Sequence, residues 1–291
     1  VSGLTSIVGT FFVKDYLGLS AEFLAALGFW AGIPWALKMP LGHLVDLIWR
    51  FKGLLVLLGA GLIATSLGIM LVLLAAPEVL AASMPVEAWY VLSVLLAPIG
   101  YVVQDVVADA MTVEAVPRTE ADGREIDPDT RRLMHTTMQT LGRVAIIGGG
   151  VFVSLLNVVM FADVDQMTEA DKLATYIDIY WMALAIPVIS VLGVALAAGL
   201  QWRAARRLIA AGHSATQARE LLRGGHGGTT PNWWILGGSL AFVAFTVSMG
   251  LGDHPFSKEI IFGGSMLIVL FLMNQLMRVL DPDARRILLG T

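Results

Sequence analysis

Hydrophobic residues in this chain occur in eight long blocks, and the connections between the blocks hold nearly all the charge. The blocks cover 1–13, 22–47, 54–76, 88–113, 133–161, 175–200, 232–251 and 260–280. About 20 helical residues cross the hydrocarbon core of a bilayer, and every block after the first is at least that long. Because hydrocarbon offers backbone amides no water, each block is predicted to form a helix. The pattern therefore predicts an all-α integral membrane protein with about eight transmembrane helices, the first of them partial.

The composition supports this class and excludes several others. Hydrophobic residues make up 57% of the 291 and charged residues 14%, against about 45–50% and about 25% in ordinary soluble domains. With no cysteine, the chain has no disulfides or thiolate metal sites, and we expect neither a metal nor a cofactor. A net charge of −4 lacks the basic surplus of nucleic-acid-binding proteins. The opening stretch has no basic region typical of a signal peptide, and we expect the first helix to begin upstream of Val1.

The distribution of basic residues predicts the orientation in the membrane. Connections after the second, fourth, sixth and eighth blocks contain fourteen lysines and arginines, whereas the opposite connections contain only Lys14, Lys172 and Lys258. Cytoplasmic connections carry the excess of positive charge. The N-terminus is therefore predicted to be cytoplasmic, and the membrane is expected to be a bacterial inner membrane.

Three regions follow from the block spacing. Residues 1–200 are predicted to form a six-helix half of a transporter, a division that two-halved transporters share. Residues 201–231 are predicted to be a cytoplasmic linker with an amphipathic helix at Ala204–Leu222, or simply a solvated basic loop. Residues 232–291 hold two further helices, which either begin a second half or form an inserted hairpin.

Four ionisable side chains lie inside predicted spans, where a charge costs several kcal/mol unless it has a function or a partner. They are Lys38 in the second block, Asp105 and Asp109 in the fourth, and Arg143 in the fifth. The i,i+4 spacing puts both aspartates on one helix face. At about 1.5 Å per residue, Lys38, Asp105 and Arg143 are predicted to lie roughly 21–25 Å below the outer surface. We therefore expect one polar layer within the bundle.

Two functions are open to this layer. It either binds substrate and couples a proton, since two crowded carboxylates favour holding a proton, or it forms a structural network of ion pairs between helices. Gln104 and Gln139 stand beside the charged residues and join the candidate site. No catalytic residue is assigned.

The connection after the second block has a recognisable pattern. Gly42 is followed four residues later by Asp46, and Arg50 and Lys52 precede the next block. This resembles the degenerate loop signature of the major facilitator superfamily, with Leu47 and Trp49 departing from the consensus basic residue and glycine. The resemblance implies a cytoplasmic gating loop, and the alternative is a short polar connection.

Small residues and prolines indicate where helices pack and bend. Gly28 and Gly32 at GxxxG spacing, and the run 148–150, are predicted to lie at close helix contacts. Pro34, Pro40 and Pro98 are predicted to kink their helices, because each lacks an amide donor.

With these residues placed, the chain resembles the folate–biopterin transporter family, a branch of the major facilitator superfamily. The matching stretches are 12–20, 34–46, 105–111 and the Gln139–Arg143 pair. The resemblance implies a major-facilitator-like bundle that carries folates, pterins or similar organic anions together with a proton, with Lys38 and Arg143 as partners for a carboxylate.

Two other classes compete with transport. The Asp105–Asp109 pair resembles half of an intramembrane prenyltransferase site, but such enzymes need a second acidic motif, and the later blocks offer only Asp178. We therefore predict that the protein is not an enzyme. The other alternative is a non-transporting assembly or structural subunit of a membrane complex, such as a pigment–protein complex.

Overall fold

The structure, a computed structural model, describes residues 2–12, 17–114, 116, 126–212, 214–218, 230–252 and 254–279. In these ranges the secondary structure is helical and there is no strand. Seven spans there are long and apolar enough to cross a membrane, at Ala21–Leu47, Trp49–Ala75, Val86–Thr112, Pro128–Met160, Glu169–Ala210, Trp233–Leu251 and Ser257–Gln275. The prediction of a chain built from membrane-type helices is confirmed to this extent.

The helices run in chain order with short connections between most of them. They are α1 (Ser2–Phe12), α2 (Ala21–Ala36), α3 (Lys38–Leu47), α4 (Lys52–Ala75), α5 (Pro77–Ala81), α6 (Val86–Glu114), α7 (Pro128–Met160), α8 (Glu169–Ala210), α9 (Trp233–Leu251) and α10 (Ser257–Val279). The chain divides into two compact units: the first comprises Val1–Ala36 and Arg50–Gly225, and the second Leu37–Trp49 and His226–Thr291.

Several helix starts are fixed by polar side chains that bind the first free amides. The Asp127 carboxylate accepts from the Thr130 amide at 3.1 Å, with Pro128 at the first helical position of α7. Thr168 and Asp171 form a reciprocal capping box at the start of α8. Since these amides have no partner within the helix, the caps set where α7 and α8 begin.

In the first unit, α4 is the central helix. Its second half is buried around most of its circumference, including Leu67, Met70 and Leu73, and α6 and α8 are its main neighbours. Leu4, Val8 and Phe12 of α1 belong to the same core. Since lipid tails are as apolar as leucine, close packing rather than water exclusion must hold this core together.

The closest approach in this core joins α4 to α6 at two glycines. A Cβ atom built on Gly100 would lie 2.7 Å from the Gly59 carbonyl oxygen, and one on Gly59 would lie 2.9 Å from the Gly100 oxygen. At Gly28, Gly32 and residues 148–150, by contrast, no described residue lies within 4 Å of such an atom. The predicted close contacts at those glycines are therefore not formed within the described part of the chain, because GxxxG spacing aligns two small residues without requiring a neighbour.

The second predicted helix, 22–47, is divided in two. The structure has α2 and α3 separated by a turn at Leu37, which has φ −89° and ψ 6°. Pro40 lies in the first turn of α3, and α3 tolerates its missing amide there because first-turn amides have no partner within the helix. The same missing amide leaves the Ala36 carbonyl at the end of α2 without its usual donor. The helix therefore restarts at Lys38, and the kink expected from Pro40 takes the form of a break.

The predicted linker helix Ala204–Leu222 is also different in the structure. Helix α8 continues without interruption to Ala210, and it ends at a turn where Gly212 has φ +96°. The first part of the predicted linker helix is thus the end of α8, while residues 219–229 lie outside the described residues. The change from apolar to basic sequence near residue 200 indicates a membrane boundary rather than a helix end.

In the second unit, α9 and α10 form an antiparallel hairpin. Trp234 and Phe271 meet edge to face at 5.8 Å between ring centroids. A Cβ on Gly238 would clash with Leu272 of the other helix, and a Cβ on Gly264 would clash with Phe245. Helix α3 joins α9 through His43, whose Nε2 atom accepts a hydrogen bond from the Asn232 amide at 2.7 Å.

Candidate functional site

The first unit contains a partly open cavity of about 360 Å³ between α1, α2, α4, α6 and α8. Hydroxyl groups are its distinctive feature, supplied by Thr5, Ser6, Ser66, Ser93, Tyr90, Tyr101 and Tyr180. Apolar side chains complete the wall, and none of the described residues that line it is charged. The volume falls within the usual range for small-molecule sites, about 300–1,000 Å³, and the few polar groups among apolar ones are also typical of such sites.

Two serines on the cavity wall tie α4 to α6. Ser66 Oγ donates to the Ser93 carbonyl oxygen at 2.8 Å, Ser93 Oγ donates to the Ser66 carbonyl oxygen at 2.9 Å, and the two hydroxyl oxygens lie 3.1 Å apart. Both side chains are buried. The pair therefore fixes the separation of the two helices at the cavity.

We expect the double substitution Ser66→Ala/Ser93→Ala to destabilise the protein by about 1 kcal/mol, because hydrogen bonds between membrane helices contribute roughly 0.6 kcal/mol each. Thr65→Ala is the matched control, since the Thr65 hydroxyl donates to Gly61 of its own helix and is exposed. Thermal unfolding of the purified protein in detergent measures both variants. Equal effects of the two changes would contradict a role of the serine pair between helices.

Helix α6 connects the cavity to the predicted acidic residues. It contributes Tyr90, Val94, Pro98 and Tyr101 to the wall at intervals of three or four residues, which is the spacing of one helix face. Pro98 also withholds the amide that would normally bond to the Val94 carbonyl, so this face contains a backbone acceptor.

The same spacing extends the cavity face of α6 to Asp105 and Asp109. Asp105 follows Tyr101 by four residues, about 6 Å along the axis, and Asp109 follows after another turn. The Oδ2 atom of Asp105 is shielded from solvent, whereas Asp109 is exposed. The two carboxylates therefore share a helix face but not an environment.

Gln104 has a packing role in the structure. Its side-chain amide donates to the Val56 carbonyl oxygen at 3.3 Å, and its Cγ lies 2.7 Å from the position that a Cβ on Gly59 would take. Gln104 thus fills the space beside the glycine contact of α4 and α6. It stands one residue before Asp105 and three residues after Tyr101.

Arg143 and Gln139 lie on α7, and both are exposed. The neighbouring apolar residues Ile146, Ile147 and Val151 are also largely exposed. Within the described part of the chain, the guanidinium of Arg143 makes no ion pair. The predicted network of ion pairs therefore does not include Arg143 among the described residues.

The remaining predicted residues belong to short elements near the second span. Lys38 is the first residue of α3 and is half-buried; with Gly42 and Asp46 it belongs to the second unit. Arg50 and Lys52 belong to the first unit, where the Arg50 guanidinium lies 4.5 Å from the centroid of the Phe51 ring.

The hydroxyl-lined cavity itself is absent from the sequence prediction. Serine, threonine and tyrosine add little free energy of insertion to a span, so they do not indicate a functional site as a buried charge does. The four-residue spacing of Tyr101, Asp105 and Asp109 could have been read from the sequence. The sequence could not show that Thr5 and Tyr180 line the same cavity, because this depends on how the helices pack.

Comparison of the chain with protein-family models, with curated proteins and with solved structures finds no match.

Proposed function

We propose that the protein is a secondary active transporter that carries an organic anion together with a proton by alternating access. The observation that carries this proposal is the single face of α6 that lines a cavity and continues to Asp105 and Asp109. A hydroxyl-containing cavity, with carboxylates further along the helix that lines it, suits a transporter that binds a substrate and carries a proton. The membrane that fits this role is a bacterial inner membrane, with the N-terminus in the cytoplasm.

The cavity wall favours a particular kind of cargo. Tyr90, Tyr101 and Tyr180 offer flat rings with a hydroxyl at the edge, and the serines offer further hydrogen-bonding groups. An aromatic ring with polar substituents matches such a wall. This suits folates, pterins or similar anions, the cargo that the sequence resemblance implies. The predicted role of Lys38 and Arg143 as partners for a carboxylate stays a prediction, because neither residue lines this cavity.

The direct test is uptake of labelled folate or pterin into liposomes that contain the full-length protein. With the outside made acidic, we expect saturable accumulation well above that in protein-free liposomes, and a proton ionophore should abolish it. Absence of saturable uptake of any tested anion, with a gradient in either direction, would contradict the proposal.

A second function has one observation in its favour. Helix α7 exposes Arg143 and Gln139 together with the glycines at 148–150, although polar groups in a span normally face other protein segments. An assembly or structural subunit would cover this face with a helix of another protein. Copurification with other subunits in fixed stoichiometry, without uptake activity, would favour this function over transport.

A further inference from the structure

The hairpin of α9 and α10 contains an apolar groove of about 540 Å³ that lies apart from the cavity of the first unit. Trp233, Trp234, Gly237, Leu267 and Phe271 are among the residues that line it. Contact at Gly238 and Leu272 brings the helices together along one edge, whereas none of the described residues lies within 4 Å of a Cβ built on Gly237. The helices therefore touch at Gly238, and the groove is the space left beside the preceding residue, Gly237.

The groove has the dimensions of one membrane leaflet. Its residues on α9 extend from Trp233 to Ala241, which is about 12 Å of helix. Half the hydrocarbon thickness of a bilayer is about 15 Å. Trp233, at 75% exposure, stands at the start of the helix, where tryptophan typically marks the boundary between headgroups and acyl chains. The groove thus runs from this boundary towards the middle of the membrane.

Among the described residues of the hairpin, Arg278 is the charged residue nearest in sequence to the groove residues of α10. Arg278 follows Phe271 by seven residues, which places it on the same face of α10 two turns nearer the predicted cytoplasmic surface. In the described residues of the hairpin the carboxylate is that of Glu259, at the opposite end. Asp46 is the acidic residue of α3, the helix that packs on α9. A phospholipid whose acyl chain lay in the groove would therefore have its phosphate near Arg278.

We propose that this groove binds one anionic phospholipid of the cytoplasmic leaflet, with an acyl chain against Gly237 and the tryptophans and the phosphate near Arg278. The apolar lining, the leaflet-length run and the cation at headgroup level all match this ligand. Neither a second copy of the chain nor another helix would require the cation at that level.

Quenching of tryptophan fluorescence tests the proposal in nanodiscs that contain the full-length protein. A minor fraction of phosphatidylglycerol with brominated acyl chains is compared with the same fraction of brominated phosphatidylcholine. Subtracting the signal of the Trp233→Phe/Trp234→Phe variant isolates the two groove tryptophans. We expect saturable quenching with about a fivefold preference for the anionic lipid, the ratio that one arginine near an anionic surface gives.

Matched variants distinguish the contribution of the groove to lipid binding from that of the arginine charge. Gly237→Leu should remove the saturable quenching, while Gly263→Leu should leave it unchanged, because Gly263 is equally open but outside the groove. Arg278→Gln should remove the preference for the anionic lipid. Size-exclusion profiles identify any variant that fails to fold, and the quenching of the variants that do fold tests the proposal. Equal, unsaturable quenching by both lipids, or no quenching because protein covers the tryptophans, would overturn the proposal.

Discussion

Asp105→Asn is expected to lower proton-driven uptake by at least about tenfold, a modest loss for a group that transfers a proton. Asparagine keeps the size of the side chain but cannot take up and release a proton. Asp105 follows Tyr101 on the cavity face of α6, and its Oδ2 atom is shielded from solvent. Uptake of the labelled anion into liposomes with an acidic exterior measures the loss. Asp109→Asn is expected to act in the same direction from the next turn.

A second assay distinguishes coupling from a structural role. Exchange of labelled for unlabelled anion at equal pH requires binding and conformational change but no net proton movement. If Asp105 couples the proton, exchange should persist in Asp105→Asn while gradient-driven accumulation is lost. Loss of both activities together with a lower unfolding temperature would instead indicate a structural carboxylate.

The control is Asp163→Asn, which makes the same chemical change at an exposed residue in the connection between α7 and α8. Uptake by this variant should equal that of the unmodified protein. Unchanged uptake in both Asp105→Asn and Asp109→Asn would contradict proton coupling through this face.

Helices were predictable because the membrane imposes their length and because charge interrupts them. The third block was predicted at 54–76, and α4 is Lys52–Ala75. Helix ends were less predictable where no charge or breaker coincides with the membrane boundary. After residue 200 the sequence continues with helix-forming alanines and arginines, so α8 continues to Ala210 although the hydrophobic block has ended.

A functional site in a membrane span is predictable from sequence only where single residues, such as charged ones, are unfavourable there without a function or a partner. Asp105 and Asp109 are conspicuous because a charge in a span demands an explanation. Gln104 attracted notice by its position beside Asp105, yet its contacts with Val56 and Gly59 serve helix packing. The tyrosines and serines of the cavity become a group only when five helices are assembled.

The glycine contact between α4 and α6 leads to the largest expected effect on stability. Gly100→Ala would place a methyl group 2.7 Å from the Gly59 carbonyl oxygen and 2.7 Å from Ile63 Cγ1. A backbone carbonyl cannot move aside as a flexible side chain can, so the helices must separate. Overpacking of this kind costs about 1–3 kcal/mol, and it would also displace the serine pair and the face of α6 that carries Asp105.

The control for this prediction is Gly68→Ala, on the same helix as Gly59 but with nothing within 4 Å of the added atom. Because alanine favours helix by about 1 kcal/mol over glycine, this variant should be as stable as the unmodified protein or more so. The fraction of protein that remains monodisperse after heating in detergent measures both. Equal stability of the two variants would contradict the close approach of α4 and α6. A selective loss in Gly100→Ala would support the contact that positions Ser66 against Ser93.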